Sequence, residues 1–235
     1  MQGLIESASG ILSASERRLE NISNNVSNIS TPGFKRQISF EEVMSGREAE
    51  SAVSSLRHRP DLSQGQLSRT GNPLDLAISG AGFFRLRAGD EILYSRHGQF
   101  KIAPDGTVVT PQGHVLQQSG GGDLVLERSA VEVLEDGTIL DEARPVGRIG
   151  MYVAADPAAM RPLGGSIYAA AEDAMEDAPA AALRQGMVEA SNVVLGDEMV
   201  AMMATVRQAE GGARLVQIYD DLLGRAITTF GQGGK

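Results

Sequence analysis

The C-terminal segment from Val193 to Phe230 carries apolar side chains that recur every three or four residues. Charged residues such as Asp197, Arg207 and Glu210 fill most of the positions between them. This spacing predicts one long amphipathic helix whose apolar face needs a partner. The helix would be roughly 56 Å long, whereas a compact chain of this length is about 45 Å across. The apolar positions are Leu195, Met199, Met202, Val206, Ala209, Ala213, Val216, Tyr219, Leu223, Ala226 and Phe230.

The N-terminal segment repeats this pattern and predicts a second helix. We expect it to stop near Ser30, because Pro32 disfavours helical backbone at Thr31 and Gly33 tolerates a positive φ. Two terminal helices with matching apolar stripes are expected to pair as a coiled coil. The N-terminal stripe consists of Leu4, Ala8, Ile11, Ser15, Leu19, Ile22, Val26 and Ile29.

The larger apolar residues of both stripes form a predicted seam for self-association. Gly211 and Gly212 interrupt the C-terminal helix, where each costs about 1 kcal/mol relative to Ala. They predict either a kink or a close backbone approach to a neighbouring subunit. The predicted seam is Leu4, Ile11, Leu19, Ile22, Val26, Ile29, Leu195, Met199, Met202, Val206, Val216 and Leu223.

Between the two helices the hydrophobic period changes to two, which is typical of β-strands. Asp105-Gly106 and Asp136-Gly137 each separate two such runs and predict hairpins. Many short strands without intervening helices favour a β-sandwich or irregular barrel. The predicted strands are residues 74–79, 83–88, 92–96, 99–103, 107–110, 114–118, 124–127, 131–135, 138–141 and 146–154.

These patterns together predict an α+β fold in which two long terminal helices pair as a coiled coil around an inserted all-β domain. We expect residues 1–34 and 191–235 to form the helical domain and residues 66–170 the β domain. Residues 35–65 are interpreted as a connector, and the Ala-rich and acidic residues 171–190 as a returning linker.

Composition excludes several classes of protein. The net charge of −9 and the pI near 4.9 argue against a nucleic-acid partner. The chain has no Cys, so disulfides and thiolate sites are absent. No apolar run approaches the length of a membrane span, and no secretory signal peptide is recognisable at the N-terminus. We therefore expect either a cytoplasmic protein or export without a cleaved signal.

No motif in the sequence carries recognisable chemistry. His58, His97 and His114 are isolated from one another and from ligand-spaced carboxylates, which predicts no metal site. The glycines at 80–82 and 120–122 lack the context of a phosphate-binding loop. A chance pair of carboxylates in a cleft stays conceivable, but none lies in a recognisable acid/base motif. We therefore predict no catalytic residue and no cofactor, and a protein that is not an enzyme.

Four segments, in order along the chain, resemble the bacterial flagellar rod and hook proteins. They are SNNVSNISTPGFKR (23–36), NPLDLAISGAGFF (72–84), YSRHGQFKIAPDGTVVTPQGHVL (94–116) and GMVEASNVVLGDEMVAMMATVRQAE (186–210). The first resembles the family's N-terminal signature, the second and third its shared β-domain, and the fourth its C-terminal helix. The family-motif residues carried over are Asn24, Asn25, Thr31, Gly33, Phe34, Gly82, Phe83, Phe84, Ser191 and Asn192.

The resemblance implies a structural subunit of the flagellar basal-body rod, which transmits torque from the motor to the hook. Its length with a single β-domain is most similar to the proximal rod members, with the distal rod members as the alternative. Implied partners are copies of itself, other rod and hook axial proteins, and the flagellar export apparatus. The implied location is the rod that crosses the periplasm, without membrane insertion. A coiled-coil adaptor or binding module is the competing class.

Overall fold

The computed structural model describes residues 2–41 and 56–232. Helix α1 spans Gln2–Ser27 and helix α2 spans Leu195–Gln232. Both predicted terminal helices are confirmed, although α1 ends at Ser27 rather than near Ser30. With a β-rich region between the helices, the predicted α+β class is confirmed as well.

The described residues between the two helices form short strands that are connected by turns and loops. They are β1 (Gln37–Glu41), β2 (Leu56–Pro60), β3 (Leu67–Arg69), β4 (Leu76–Ser79), β5 (Phe83–Ala88), β6 (Glu91–Ser95), β7 (Lys101–Ile102), β8 (Val108–Val109), β9 (Val115–Leu116), β10 (Glu132–Val133), β11 (Thr138–Asp141), β12 (Arg144–Arg148), β13 (Met151–Ala154), β14 (Arg161–Gly164), β15 (Ile167–Ala169), β16 (Met175–Asp177), β17 (Ala182–Gln185) and β18 (Met187–Glu189). Two short 3-10 helices cover Pro157–Ala159 and Glu172–Ala174.

Strands β3 to β18 pair only in antiparallel fashion. The largest sheet has the order β14-β15-β6-β5-β9-β8-β7, and β13 joins it by pairing with both β5 and β16. Strands β10, β11 and β12 form a three-stranded sheet, whereas β1–β2, β4–β17 and β3–β18 are two-stranded. Strands β17 and β18 thus return to pair with β4 and β3, far earlier in the chain.

Both Asp-Gly turns join hairpin strands, as predicted. Asp105 Oδ1 accepts hydrogen bonds from the backbone N–H (3.1 Å) and hydroxyl (2.6 Å) of Thr107, between β7 and β8. Asp136 accepts from the same two groups of Thr138, between β10 and β11. The glycine after each Asp has a positive φ, 86° at Gly106 and 90° at Gly137. These turns are locally encoded, which explains why the sequence reveals them.

Other parts of the β region differ from the sequence expectation. The run 146–154 is divided at Gly150, and β12 and β13 belong to different sheets. A β-carbon at Gly150 would lie 2.6 Å from the ring of Tyr152, so a larger residue there would have to displace that ring. Residues 124–127 contribute a single bridge, from Val125 to Thr107, rather than a strand. Residues 171–190, interpreted as a returning linker, contain β16, β17 and β18.

Two apolar clusters fill the β region. The larger one includes Phe84, Leu86, Leu116, Ile139 and Ile149, all essentially inaccessible to solvent. The smaller cluster is aromatic and comprises Phe83, Tyr94, Tyr152 and Tyr168 with three smaller residues. Because consecutive residues of a strand point to opposite faces, Phe83 and Phe84 of β5 serve different clusters.

The chain divides into two compact units. The helical unit comprises Met1–Val26, Ile38–His58 and Val194–Lys235, and the β unit comprises Ser27–Gln37 and Arg59–Val193. The chain therefore passes from one unit to the other four times, after residues 26, 37, 58 and 193.

Within the helical unit, α1 and α2 contact each other in antiparallel orientation. A β-carbon at Gly212 would lie 3.1 Å from Ile11 Cγ2, and Arg18 donates a hydrogen bond to Gln208 Oε1 (3.3 Å). Buried positions recur every seven residues on each helix, so they share one face. They are Ala8, Ser15 and Ile22 on α1, and Glu198, Thr205 and Gly212 on α2, and Asn25 of α1 is buried as well.

Gly211 and Gly212 have different surroundings. Helix α2 runs continuously through both residues, and Gly212 approaches α1 of the same chain. A β-carbon at Gly211 would meet no atom within 4 Å. Coiled-coil pairing along the whole length of the helices stays a prediction.

We predict opposite outcomes for Ala substitutions at these neighbouring glycines. Gly211→Ala should stabilise the helical unit by up to about 1 kcal/mol, because Ala has the higher helix propensity. Gly212→Ala should lose this gain or destabilise the unit, because the new methyl group must displace Ile11. Urea unfolding followed by helical circular dichroism measures both variants, and equal stabilisation by the two would contradict the close contact.

Candidate functional site: a buried ion cluster and an exposed helix surface

The two ends of the β unit meet at one place, which we call the terminal junction (residues 31–37, 61–66, 96–97 and 187–193). The N–H of Gly33 donates to the carbonyl of Glu189 at 2.7 Å. Gly33 has a φ of 70°, and a β-carbon there would collide with the backbone of Arg96 and His97. Phe34 is buried beside it. The chain therefore requires glycine at this position, both for its backbone conformation and for space.

A buried ion cluster of Lys35, Arg96 and Glu189 lies at the centre of the junction. Lys35 Nζ donates to Glu189 Oε1 at 2.6 Å, and Arg96 Nη1 donates to Glu189 Oε2 at 3.0 Å. The side chains of Lys35, Arg96 and Glu189 are 1%, 3% and 1% exposed. Backbone groups complete the cluster, because Gly65 N–H donates to Glu189 Oε1 and Lys35 Nζ donates to Ser63 O.

The cluster contains two cations and one carboxylate, so one positive charge is left without a carboxylate in the cluster itself. Burial lowers the pKa of Lys35, and the nearby Glu189 carboxylate opposes that shift. Burial likewise lowers the pKa of Arg96, again against the effect of Glu189. Removing one partner of a buried ion pair is strongly destabilising, since the remaining charge keeps its desolvation cost. The carboxylate of Glu189 is therefore the group on which both cations depend.

Asn192 holds the two ends of the β unit together through its side-chain amide. Its Oδ1 accepts from the backbone N–H of Arg36 at 2.7 Å, and its Nδ2 donates to the carbonyls of Asp61 (2.9 Å) and Ser63 (3.1 Å). The amide thus bridges the segment after α1, the segment after β2 and the segment before α2. Its neighbour Ser191 accepts from the backbone N–H of Val193 at 3.2 Å.

His97 lies against the turn that follows α1. Its Nδ1 is 3.3 Å from the carbonyl of Pro32, and its backbone N–H donates to Ser95 Oγ at 2.9 Å. A cavity of about 220 Å³ beside it is lined by hydroxyl-bearing residues that include Thr31, Thr110 and Ser166. Burial lowers the pKa of His97, while the Pro32 carbonyl and Asp75 oppose that effect. The neutral ring is thus the form that fits the junction.

The structure brings some of the family-motif residues together. Gly33, Phe34 and Asn192 meet in the terminal junction, where the N–H of Asn192 donates to Phe34 O at 3.4 Å. Gly82, Phe83 and Phe84 are buried at the start of β5, Asn25 is buried in α1, and Asn24 is exposed. Thr31 and Ser191 are half-buried.

The residues of the predicted seam fall into different environments in the single chain. Among them Leu195, Met199 and Val206 of α2 are 45%, 54% and 41% exposed. The side chains of Leu4 and Leu223 lie outside the described part of the structure. Ile22 is buried, and Ile11, Leu19, Val26, Ile29, Met202 and Val216 are half-buried.

Sequence reasoning missed the ion cluster and the buried residues Glu198, Thr205 and Gly212 of α2, whereas the buried Ala8, Ser15 and Ile22 of α1 lie in the predicted N-terminal stripe. Each member of the cluster lies inside a family motif: Lys35 in GFKR, Arg96 in YSRHGQF and Glu189 in GMVEAS. The sequence feature that could have revealed the cluster is the charged residue within each of these three motifs. A search for large apolar residues does not find Glu198, Thr205 and Gly212, because none of them is both large and apolar.

Among the described residues, no cluster of three or more His, Asp or Glu side chains could hold a metal ion. The described helices include none that is both long enough and apolar enough to span a membrane.

Comparison with protein-family models gives three matches in order along the chain. Residues 5–35 match the flagella basal body rod protein model, residues 77–140 the flagellar hook protein FlgE/F/G D1 domain, and residues 184–229 the flagellar basal body rod FlgEFG protein C-terminal model. The terminal junction draws Lys35 and Glu189 from the first and last of these regions, and Arg96 from the middle one.

Full-length relatives decide the assignment. The flagellar basal-body rod protein FlgF of Caulobacter vibrioides is 30% identical over 227 residues, covering 92% of this chain and 93% of the relative. The chain belongs to the flagellar basal-body rod protein family. FlgG of Bacillus subtilis is 29% identical, and the alignment covers 88% of this chain and 91% of that relative. FlgF of Salmonella typhimurium is 28% identical, and the alignment covers 96% of this chain and 97% of that relative.

In this rod-family protein we predict that Glu189→Gln destabilises the β unit by about 3–5 kcal/mol, because it removes the only carboxylate of the buried cluster. The matched control is Glu135→Gln, which removes the exposed partner of Arg184 and should cost less than about 1 kcal/mol. Urea unfolding followed by tyrosine fluorescence reports on the β unit, which contains Tyr94, Tyr152 and Tyr168. Equal effects of the two substitutions would contradict the central role of Glu189.

We also predict acid sensitivity that originates at His97. The folded pKa of His97 lies below its ordinary value of 6.5, so the unfolded chain binds the proton first as pH falls. The free energy of unfolding should therefore fall as pH drops below about 6.5. Above that value the stabilising contribution of the neutral His97 ring should be fully present. His97→Gln should flatten this part of the profile in urea titrations from pH 7 to pH 5. An unchanged slope in the variant would show that another group is responsible.

Proposed function

We propose that the protein is a structural subunit of the proximal flagellar rod, which polymerises with copies of itself and other axial proteins into the shaft that transmits torque from motor to hook. The observation that carries this proposal is the similarity to named rod proteins over nearly the whole chain. The order of the three family-model matches adds support.

The surface of α2 supports self-assembly on physical grounds. Large apolar side chains stay exposed along this helix in the single chain, including Leu195, Met199, Met203 and Val206. Burying apolar surface contributes roughly 25 cal/mol per Å², so a long helix surface gains stability from many modest contacts. We propose that the exposed residues of the predicted seam form contacts between chains, and that the paired terminal helices form a coiled-coil inner layer of the rod.

The proximal assignment rests on alignment coverage. The FlgF relatives of Caulobacter vibrioides and Salmonella typhimurium align over 92% and 96% of this chain, and the Bacillus subtilis FlgG over 88%. A distal rod subunit of the FlgG type is the alternative, supported by nearly equal identity.

We further propose that the subunit reaches the basal body through the flagellar export apparatus without a cleaved signal, and that it functions in the part of the rod that crosses the periplasm. The similarity to proteins named as basal-body rod proteins supports this location. We propose that the role is mechanical rather than catalytic, a proposal supported by the similarity to proteins named as basal-body rod proteins.

Charge placed on the exposed surface of α2 should block assembly while leaving the β unit folded. Val206→Glu puts a carboxylate where we propose an apolar contact between chains, so swimming and recovery of the subunit in isolated basal bodies should be lost. Ala204→Glu adds the same charge at another exposed position of α2 and serves as the control. Both variants should replace the native copy in the source bacterium, with amide exchange of the purified proteins to verify the β unit. Normal swimming with Val206→Glu would contradict the proposed surface.

A further inference from the structure

His97 and the turn that follows α1 are held together at two points. The Nδ1 atom of His97 lies 3.3 Å from the carbonyl of Pro32, and because a carbonyl only accepts, Nδ1 carries the proton of the neutral ring. The next residue, Gly33, packs so closely on residues 96–97 that a β-carbon there would lie 2.3 Å from the carbonyl carbon of Arg96. The turn is thus fixed on His97 by a hydrogen bond and by close packing.

The other ring nitrogen of His97 lies at a point where a charge has no compensation. Its Nε2 is enclosed by protein and has no hydrogen-bond partner among the described residues. The whole residue is 7% exposed. In the neutral ring Nε2 is only an unused acceptor, whereas protonation adds an N–H donor and a positive charge there. A buried charge without a partner is far more costly than a buried neutral group.

The buried carboxylates of this part of the β unit are already engaged. Asp75 favours the charged form of the histidine ring, but its Oδ1 accepts a hydrogen bond from Asn72 at 3.0 Å. Glu189 accepts from two cations, Lys35 and Arg96. Protonation of the ring would therefore add a third positive charge to a region whose ion cluster already holds two cations for one carboxylate.

We propose that protonation of His97 opens the terminal junction, so that the ring reaches solvent and residues 31–35 leave their place while the sheets of the β unit stay folded. Pro32 and Gly33 lie against the histidine, so their departure is the movement that exposes it. Gly33 then loses its hydrogen bond to the carbonyl of Glu189, and Lys35 is drawn away from the carboxylate of the same residue. The switch is a property of the single chain and is independent of its role in an assembly.

The core of the β unit does not depend on the contacts that open. Val108 N–H donates to Leu124 O and Leu124 N–H donates to Leu116 O, both at 2.9 Å. Val108 and Leu124 are 2% and 1% exposed and belong to the larger apolar cluster. Opening at the junction leaves these hydrogen bonds intact, whereas acid unfolding of the whole unit would break all of them together.

Amide hydrogen exchange of the full-length protein, followed by NMR between pH 7 and pH 5, distinguishes these two responses. Protection factors correct for the intrinsic pH dependence of exchange. Those of the Gly33 and Gly65 amides, which both donate to Glu189, should fall by roughly tenfold per pH unit below about 6.5, because opening takes up one proton. Those of Val108 and Leu124 should stay unchanged.

Substitution of each histidine of the β unit tests the origin of the effect. His97→Gln removes the titrating ring, so the protection of Gly33 should stay constant over this pH range. The matched control is His114→Gln, which removes a half-buried histidine of the same unit and should retain the loss. A loss that persists in His97→Gln would assign the switch to another group and overturn the inference.

Two outcomes in the unsubstituted protein would also overturn it, so the test does not depend on how well a variant folds. Equal loss of protection at Gly33, Val108 and Leu124 would mean that the whole unit unfolds. Titration of the His97 ring with full protection at Gly33 would mean that the ring takes up its proton inside the closed junction, beside the cavity lined by Thr110 and Ser166.

Discussion

The carboxylate of Glu189 accepts hydrogen bonds from Lys35, Gly65 and Arg96 together, and these three donors come from distant parts of the chain. Two of the donors carry a full charge that is nearly inaccessible to water. Because neither cation has another carboxylate in the cluster, the packing of Gly33, Phe34 and the return strand β18 depends on this one side chain. Backbone hydrogen bonds around the cluster, such as the one from the N–H of Gly33 to the carbonyl of Glu189, then orient the segments at which the chain enters and leaves the β unit.

Regular local patterns explain how much of this fold the sequence predicts. The three-and-four spacing of apolar residues is sufficient to identify α1 and α2, and Asp-Gly before Thr is sufficient for both hairpins. The division of residues 146–154 at Gly150 is different, because β12 and β13 pair with strands that are distant in sequence and belong to different sheets. The ion cluster could not be predicted from the sequence either. Lys35 and Glu189 are 154 residues apart in sequence, and no local period connects them.

The helices illustrate a second limit of pattern analysis. A search for large apolar residues finds Met199 and Val206, yet both are exposed in the single chain. The face that is buried in the chain carries Glu198, Thr205 and Gly212 instead. Small side chains allow the axes of two helices to approach closely, whereas large ones bury more area per contact. The helix surface is thus divided between a face of small and polar residues that is buried within the chain and an apolar face for which we propose contacts between chains.

The sequence separation within the ion cluster has a consequence for the order of folding. Lys35 Nζ can reach its carboxylate only after a loop of 154 residues has closed, and such closure costs entropy before it gains any contact. The hairpins at Asp105 and Asp136 close loops of only a few residues, so they are the early structures. A chain that emerges N-terminus first therefore makes its hairpins while Lys35 and Arg96 stay hydrated. The β unit becomes complete only when the last of its strands has arrived.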